Sequence, residues 1–194
     1  MPKNRVEAFT DGVIAIIVTI LVLELPRPTG TELSDLLIEC EPIFVYLVSF
    51  IMLIIYWNNH HHILQLADHI DGRVLWMNNI LLFFLSLFPF TTSWIGGSLY
   101  AFAPQFLFAL IILLADLTWM YLLKCLARAN EHDSHFSEIL NDYKKMKSTI
   151  LLNLVAILVS FILPIGAMVI NLVMMLLWLI PDKKVEQKVI EKNN

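Results

Sequence analysis

The sequence predicts an all-α integral membrane protein with six transmembrane helices per subunit, and three observations carry that reading. Hydrophobic residues make up 58% of the 194 and charged residues 15%, against about 45–50% and about 25% in soluble domains. No charged side chain occurs from Val74 to Ala115, a run that a soluble domain of this length has no core large enough to bury. Apolar stretches of membrane-crossing length alternate with turn residues and charges along the chain. Residues 1–181 are expected to form one membrane unit and residues 182–194 a short charged cytoplasmic tail.

The first element begins at Arg5-Val6-Glu7-Ala8-Phe9-Thr10-Asp11-Gly12 and continues apolar to Leu23. The dozen uncharged residues between Asp11 and Glu24 span roughly 18 Å as a helix, short of the roughly 30 Å of bilayer hydrocarbon. Acidic side chains at that depth face protein or water, so the segment predicts a helix set inside a bundle with watery ends, a candidate pathway helix. It lacks a small-residue cleavage pattern and is expected to stay in the mature chain.

Further spans are expected at about Pro42 to Asn59, Val74 to Trp94 and Gln105 to Leu123, punctuated by Gly96-Gly97 and Pro104. Ser148 to Ile180 holds 33 residues without a charge, about 50 Å as one helix and too long for one span. Pro164-Ile165-Gly166 at its centre predicts two short helices, the proline breaking the helix and the glycine allowing the turn. Six spans put Lys3, Arg5, Arg73, Lys124, Arg128, Lys144, Lys145, Lys147 and the tail lysines on one side and only Arg27 on the other. By the bias of basic residues to the cytoplasm, both termini are cytoplasmic in a multi-pass protein of the cell membrane.

The net charge of −4 and the absence of a basic patch with interleaved aromatics argue against a nucleic-acid partner. Cys40 and Cys125 have no metal or redox spacing and read as structural thiols. The first external loop, with Glu24, Glu32, Asp35, Glu39 and Glu41, either concentrates cations at a mouth or is an ordinary solvated loop. With so little chain outside the membrane, a pore would form on an oligomer axis.

Three motifs in order resemble one family. Arg5-x-x-x-Phe9-Thr10-Asp11-Gly12, Tyr56-Trp57-Asn58-Asn59-His60-His61, and Leu75-Trp76-Met77-Asn78 followed by Leu82 to Thr91 are similar to the signatures of the transmembrane protein 175 potassium-channel family. The usual first motif has Ser where this chain has Thr10, which keeps the hydroxyl and adds a methyl. One six-helix unit per chain is similar to the prokaryotic single-repeat branch. The resemblance implies a homotetramer whose first helices line a central pore, with potassium as the permeating ion, membrane lipid around it and no cofactor.

None of the six glycines lies in a Thr-Val-Gly-Tyr-Gly filter of the kind that selects potassium through backbone carbonyls. Ile16, Thr19, Ile20 and Leu23 share one helix face. By resemblance Ile16 is the hydrophobic constriction, extended by Ile20 and Leu23, and Thr19 the hydroxyl ring that contributes to potassium preference. Arg5, Phe9, Thr10, Asp11, Trp57, His60, His61, Trp76 and Asn78 are expected to form a network fixing the first helix against the second and third, since buried polar groups need partners.

His60-His61-His62 and His132-x-x-His135 could suggest metal, but histidine-box enzymes need more boxes, and structural histidines are the expectation. Asp116, deep in the fourth span, is a functional candidate by position or a polar bond to a neighbouring helix. Met168, Met174 and Met175 read as lipid-facing or core filler. The expected class is a channel rather than an enzyme. The alternative is a proton-coupled secondary transporter with Asp11, Asp116 and the histidines as a relay.

Overall fold

A computed structural model of the chain describes residues 3–130 and 144–179, and its regular structure there is entirely helical. The helices are α1 (Lys3–Leu23), α2 (Asp35–Ile38), α3 (Cys40–Leu66), α4 (Gly72–Ser86), α5 (Phe88–Gly96), α6 (Phe102–Ala129), α7 (Lys144–Ser160) and α8 (Pro164–Leu179). The charged tail, with Lys183, Lys184, Lys188 and Lys192, and the pair His132 and His135 lie outside the described residues.

Among the described residues, four stretches are long and apolar enough to cross a membrane: Lys3–Leu23, Cys40–Leu66, Gly72–Gly96 and Phe102–Ala129. α7 and α8, of 17 and 16 residues, make a hairpin of shorter helices. Each is about 25 Å long. The helices overrun the hydropathy windows because their polar ends stay helical. α1 starts at Lys3 and so carries its whole charged motif, and α3 continues past Asn59 through the three histidines to Leu66.

Two local readings are corrected. The third span is broken after Ser86, with Leu87 between α4 and α5 and Pro89 in the first turn of α5. Proline has no N–H for the carbonyl four residues back and crowds it. Thr91 Oγ1 donates to the carbonyls of Leu87 and Phe88 at 3.1 and 3.2 Å and so satisfies acceptors at the break. In the hairpin the turn is Phe161–Leu163 and Pro164 opens α8, the first-turn position where a missing N–H costs nothing. No glycine among the described residues has positive φ, so Gly166 does not make the turn. Its role is closeness: a Cβ there would lie 2.7 Å from Val159 Cγ1.

α6 is the hub. It packs on α4 and α5 on one side and on α7 and α8 on the other, while α1 lies against α3, α4 and α5. Phe88 and Phe108, both fully buried, meet edge to face at 5.7 Å and lock α5 to α6. Asp71 caps α4 by accepting from the Val74 N–H at 2.8 Å. Asn130 closes α6 and accepts from the N–H groups of Asp68 and His69, both at 2.9 Å. One buried amide thereby fixes the α3–α4 loop and the ends of the helices that face α1.

Candidate functional site

α1 buries one stripe, Val6, Thr10, Ile14, Ile17 and Leu21, at the three- and four-residue spacing of a single helix face. Thr10 is the polar member and is fully buried. It is the end of a chain of bonds: His60 Nε2 donates to Asn78 Oδ1 at 2.7 Å, and Asn78 Nδ2 donates to Thr10 Oγ1 at 2.9 Å. Because an amide oxygen only accepts, this bond places the proton of His60 on Nε2. All three residues are buried, so α1, α3 and α4 are tied by a satisfied polar core.

The other network residues divide. Trp57 Nε1 donates to Asp11 Oδ1 at 2.8 Å, on an exposed edge of α1. His61 stacks on Trp57 with ring centroids 5.9 Å apart and accepts from Gln65 Nε2 at 2.8 Å. Lys3 Nζ reaches the Gln65 carbonyl at 3.0 Å, a second tie between α1 and α3. Arg5, Phe9 and Trp76 stay outside these bonds; Arg5 is exposed, Phe9 is 56% exposed and Trp76 69%. Thus the nine residues do not form one continuous network within a single chain.

The four face residues point away from the rest of the subunit. Ile16, Thr19, Ile20 and Leu23 are all exposed, at 59% for Ile16 and 79% for Leu23. Thr19 Oγ1 donates to the Ile16 carbonyl at 2.8 Å, which uses its hydrogen inside the helix and leaves the oxygen lone pairs outward. Ile16 and Ile20 also border a groove of about 770 Å³ between α1 and α5, closed by Phe90 and Trp94. Glu24, Glu39 and Glu41 line a cavity of about 330 Å³ where α1 ends near the start of α3.

With this geometry in view, the comparisons are decisive. A potassium channel of Chryseobacterium sp. (strain P1-3) is 38% identical over 98% of this chain and 100% of its own length. The chain belongs to the TMEM175 family. The family model for the endosomal/lysosomal potassium channel TMEM175 matches residues 5–89, the stretch that carries α1, the Asn78–His60 bonds and the α4–α5 break. A potassium channel of Chamaesiphon minutus is 35% identical over 53% of this chain and 52% of its own length. Among solved structures, a lysosomal potassium-selective channel TMEM175 homolog from the same organism superposes with a TM-score of 0.80 at 28% identity, covering 91% of this chain and 95% of that one. The chain is therefore a multi-pass membrane protein of prokaryotic TMEM175 type.

Three residues that sequence reasoning left without partners meet in the back half of this TMEM175 fold. Tyr56 Oη donates to Asp116 Oδ1 and Asn153 Nδ2 donates to Asp116 Oδ2, both at 2.6 Å. The polar-bond reading of Asp116 describes its surroundings, and α3, α6 and α7 converge on it. Among the described residues no hydrogen bond joins this set to Asp11 or His60, and no cluster of three His, Cys, Asp or Glu is placed to hold a metal. Met168, Met174 and Met175 are core. Cys40 is exposed, Cys125 is buried and neither is paired.

Proposed function

We propose that the chain is one subunit of a homotetrameric, potassium-preferring cation channel, with six spans, cytoplasmic termini and a pore lined by α1. The observation that carries this is the orientation of α1: its motif side is bonded into the subunit while Ile16, Thr19, Ile20 and Leu23 face outward. A stripe of isoleucine and leucine in lipid needs no hydroxyl. One interrupted by a threonine whose lone pairs point away from the helix suits an axis shared by four copies.

On that axis Ile16 rings close the path by dewetting, Ile20 and Leu23 lengthen the narrow part, and the Thr19 oxygens replace part of the water shell of a passing ion. Selection then rests on side chains, since the chain carries no carbonyl filter motif. The α1–α5 groove with Phe90 and Trp94 is where a neighbouring copy seats, and membrane lipid surrounds the rest. The Glu24, Glu39 and Glu41 cavity gathers cations at the outer mouth. No cofactor takes part; potassium is the cargo.

The test is purified protein reconstituted in a bilayer with potassium on one side and sodium on the other. The channel reading expects current without any proton gradient and a reversal potential displaced toward potassium. Transport only with a proton gradient would replace it by the coupled transporter.

A further inference from the structure

We propose that the basic ends of α4 and α6 form a docking site for an anionic phospholipid: Arg73, Lys124 and Arg128 hold the headgroup phosphate, and the outward stripe of α6 carries an acyl chain. Arg73 stands in the first turn of α4, and Lys124 and Arg128 in the last two turns of α6. The two helices pack against each other, and the Asn130 side chain ties the residues just before α4 to the end of α6. The first turn of one helix therefore meets the last turns of the other. Accordingly, the charges of Arg73 and Arg128 both act on the thiol of Cys125, the sequence neighbour of Lys124.

The three side chains are exposed, and none makes a hydrogen bond or ion pair among the described residues. Other cations at this end of the bundle are engaged inside the subunit. Lys3 Nζ is bonded to the Gln65 carbonyl, and Lys145 Nζ stands 4.4 Å from the centre of the Trp178 ring. Asp71 brings a negative charge to the same thiol, but its carboxylate is turned to the Val74 N–H as the cap of α4. The cluster keeps an excess of positive charge with every donor free. Guanidinium forks match phosphate oxygens two at a time, so an anion shared by the two arginines is the complement of this surface.

What lies below the charges makes that anion a lipid rather than a free phosphate. α6 has 28 residues, about 42 Å, and overruns the roughly 30 Å of hydrocarbon, so its last turns stand among headgroups. Leu117, Tyr121, Lys124 and Arg128 recur at four, three and four residues and share one face, and all four are exposed. Along that face the side chains pass from aliphatic through aromatic to basic, the order in which a leaflet passes from acyl chain through interface to phosphate. The face is about 16 Å long, close to half the hydrocarbon thickness. α1 lies against α3, α4 and α5, so the outward face of α6 does not depend on the pore assignment.

The deciding experiment is native mass spectrometry of the purified full chain, titrated separately with phosphatidylglycerol and with phosphatidylcholine. The expected result is one saturable phosphatidylglycerol adduct per chain and much weaker binding of phosphatidylcholine. Arg73→Gln and Arg128→Gln should each weaken the phosphatidylglycerol adduct about fivefold. Lys147→Gln, which removes an exposed charge from α7 at the same end, should leave it unchanged. Because the arginines are exposed and unbonded, both variants should melt with the wild type in lipid-free detergent. Equal binding of the two lipids, arginine variants that bind as the wild type does, or an equal loss in Lys147→Gln overturns the site in favour of general surface attraction. Displacement of the lipid by an equal concentration of inorganic phosphate overturns the acyl-chain part and leaves an anion site alone.

Discussion

The two faces of α1 are built from nearly the same residue types and do opposite things. The inward face is Val, Thr, Ile, Ile and Leu; the outward one is Ile, Thr, Ile and Leu. Thr10 and Thr19 are nine residues apart, roughly half a turn out of phase at 100° per residue, so one hydroxyl is sealed in the subunit and the other is turned out of it. Thr10 accepts from Asn78 and completes a buried chain of bonds, whereas Thr19 bonds only to its own helix. Composition is silent about this difference. Partners across the subunit decide which threonine is structural and which is left facing out of the subunit.

The largest expected effect lies on the inward face. Asn78→Leu removes the acceptor of His60 and the donor to Thr10 and leaves both buried. At about 1–3 kcal/mol for each group so orphaned, the change should cost about 2–6 kcal/mol, read as lost thermal stability of the purified protein. A neutral result would mean that water reaches this pocket and that the inward face is less sealed than its burial indicates.

Outward changes should spare folding and alter current. Ile16→Asn should wet the narrowest ring and raise single-channel conductance; unchanged conductance would move the constriction to Ile20 or Leu23. Thr19→Val keeps shape and removes an oxygen. At about 0.5–1.5 kcal/mol for a hydrogen-bonding group, potassium preference over sodium should fall about three- to tenfold, measured as the bi-ionic reversal potential. Identical reversal potentials would exclude this ring from selection.

Asp11 sharpens the boundary between the faces. In the sequence it reads as one member of a buried charged network, whose loss would cost several kcal/mol. The structure places it on an exposed edge where, among the described residues, one side-chain bond reaches it, from Trp57. Asp11→Ala should then cost only about 1–2 kcal/mol within the subunit. If detergent-stable assembly collapses instead, the missing partners of Asp11 are on another copy, and Arg5 of that copy is the first to test because it is exposed and makes no side-chain bond among the described residues.

How much of this was legible in the sequence depends on the range of the interaction. The helices were, because apolar length and charge placement are local. So were the hairpin of α7 and α8 and the sharing of one exposed α1 face by Ile16, Thr19, Ile20 and Leu23. Helix ends were not, since His60, His61 and His62 look like a loop to a hydropathy window and yet continue α3. Asn130 gave no signal at all: a lone asparagine after a helix is ordinary, and its value comes from Asp68 and His69, about sixty residues earlier. The partners of Asp116 stand 60 and 37 residues away in sequence, and no spacing rule connects them. The residues that match the family model end at Pro89, so that resemblance too was silent about Asn153 and Asn171.

The smallest prediction concerns Gly12. It lies on the outward side of α1, and a Cβ built there meets nothing within 4 Å. Glycine inside a helix costs about 0.8–1.0 kcal/mol relative to alanine, and nothing in this subunit repays that cost. For an isolated chain Gly12→Ala should therefore stabilise by about that amount. In an assembly that brings α1 helices together at this level, the added methyl lands in the contact and the sign reverses. Comparing the melting temperature of wild type and Gly12→Ala, first dispersed to monomer and then as the intact oligomer, separates the two. Stabilisation in both states would leave Gly12 facing lipid or water and rotate the shared axis away from this stripe. Stabilisation of the monomer with loss in the oligomer would place the glycine at the point where neighbouring helices come closest.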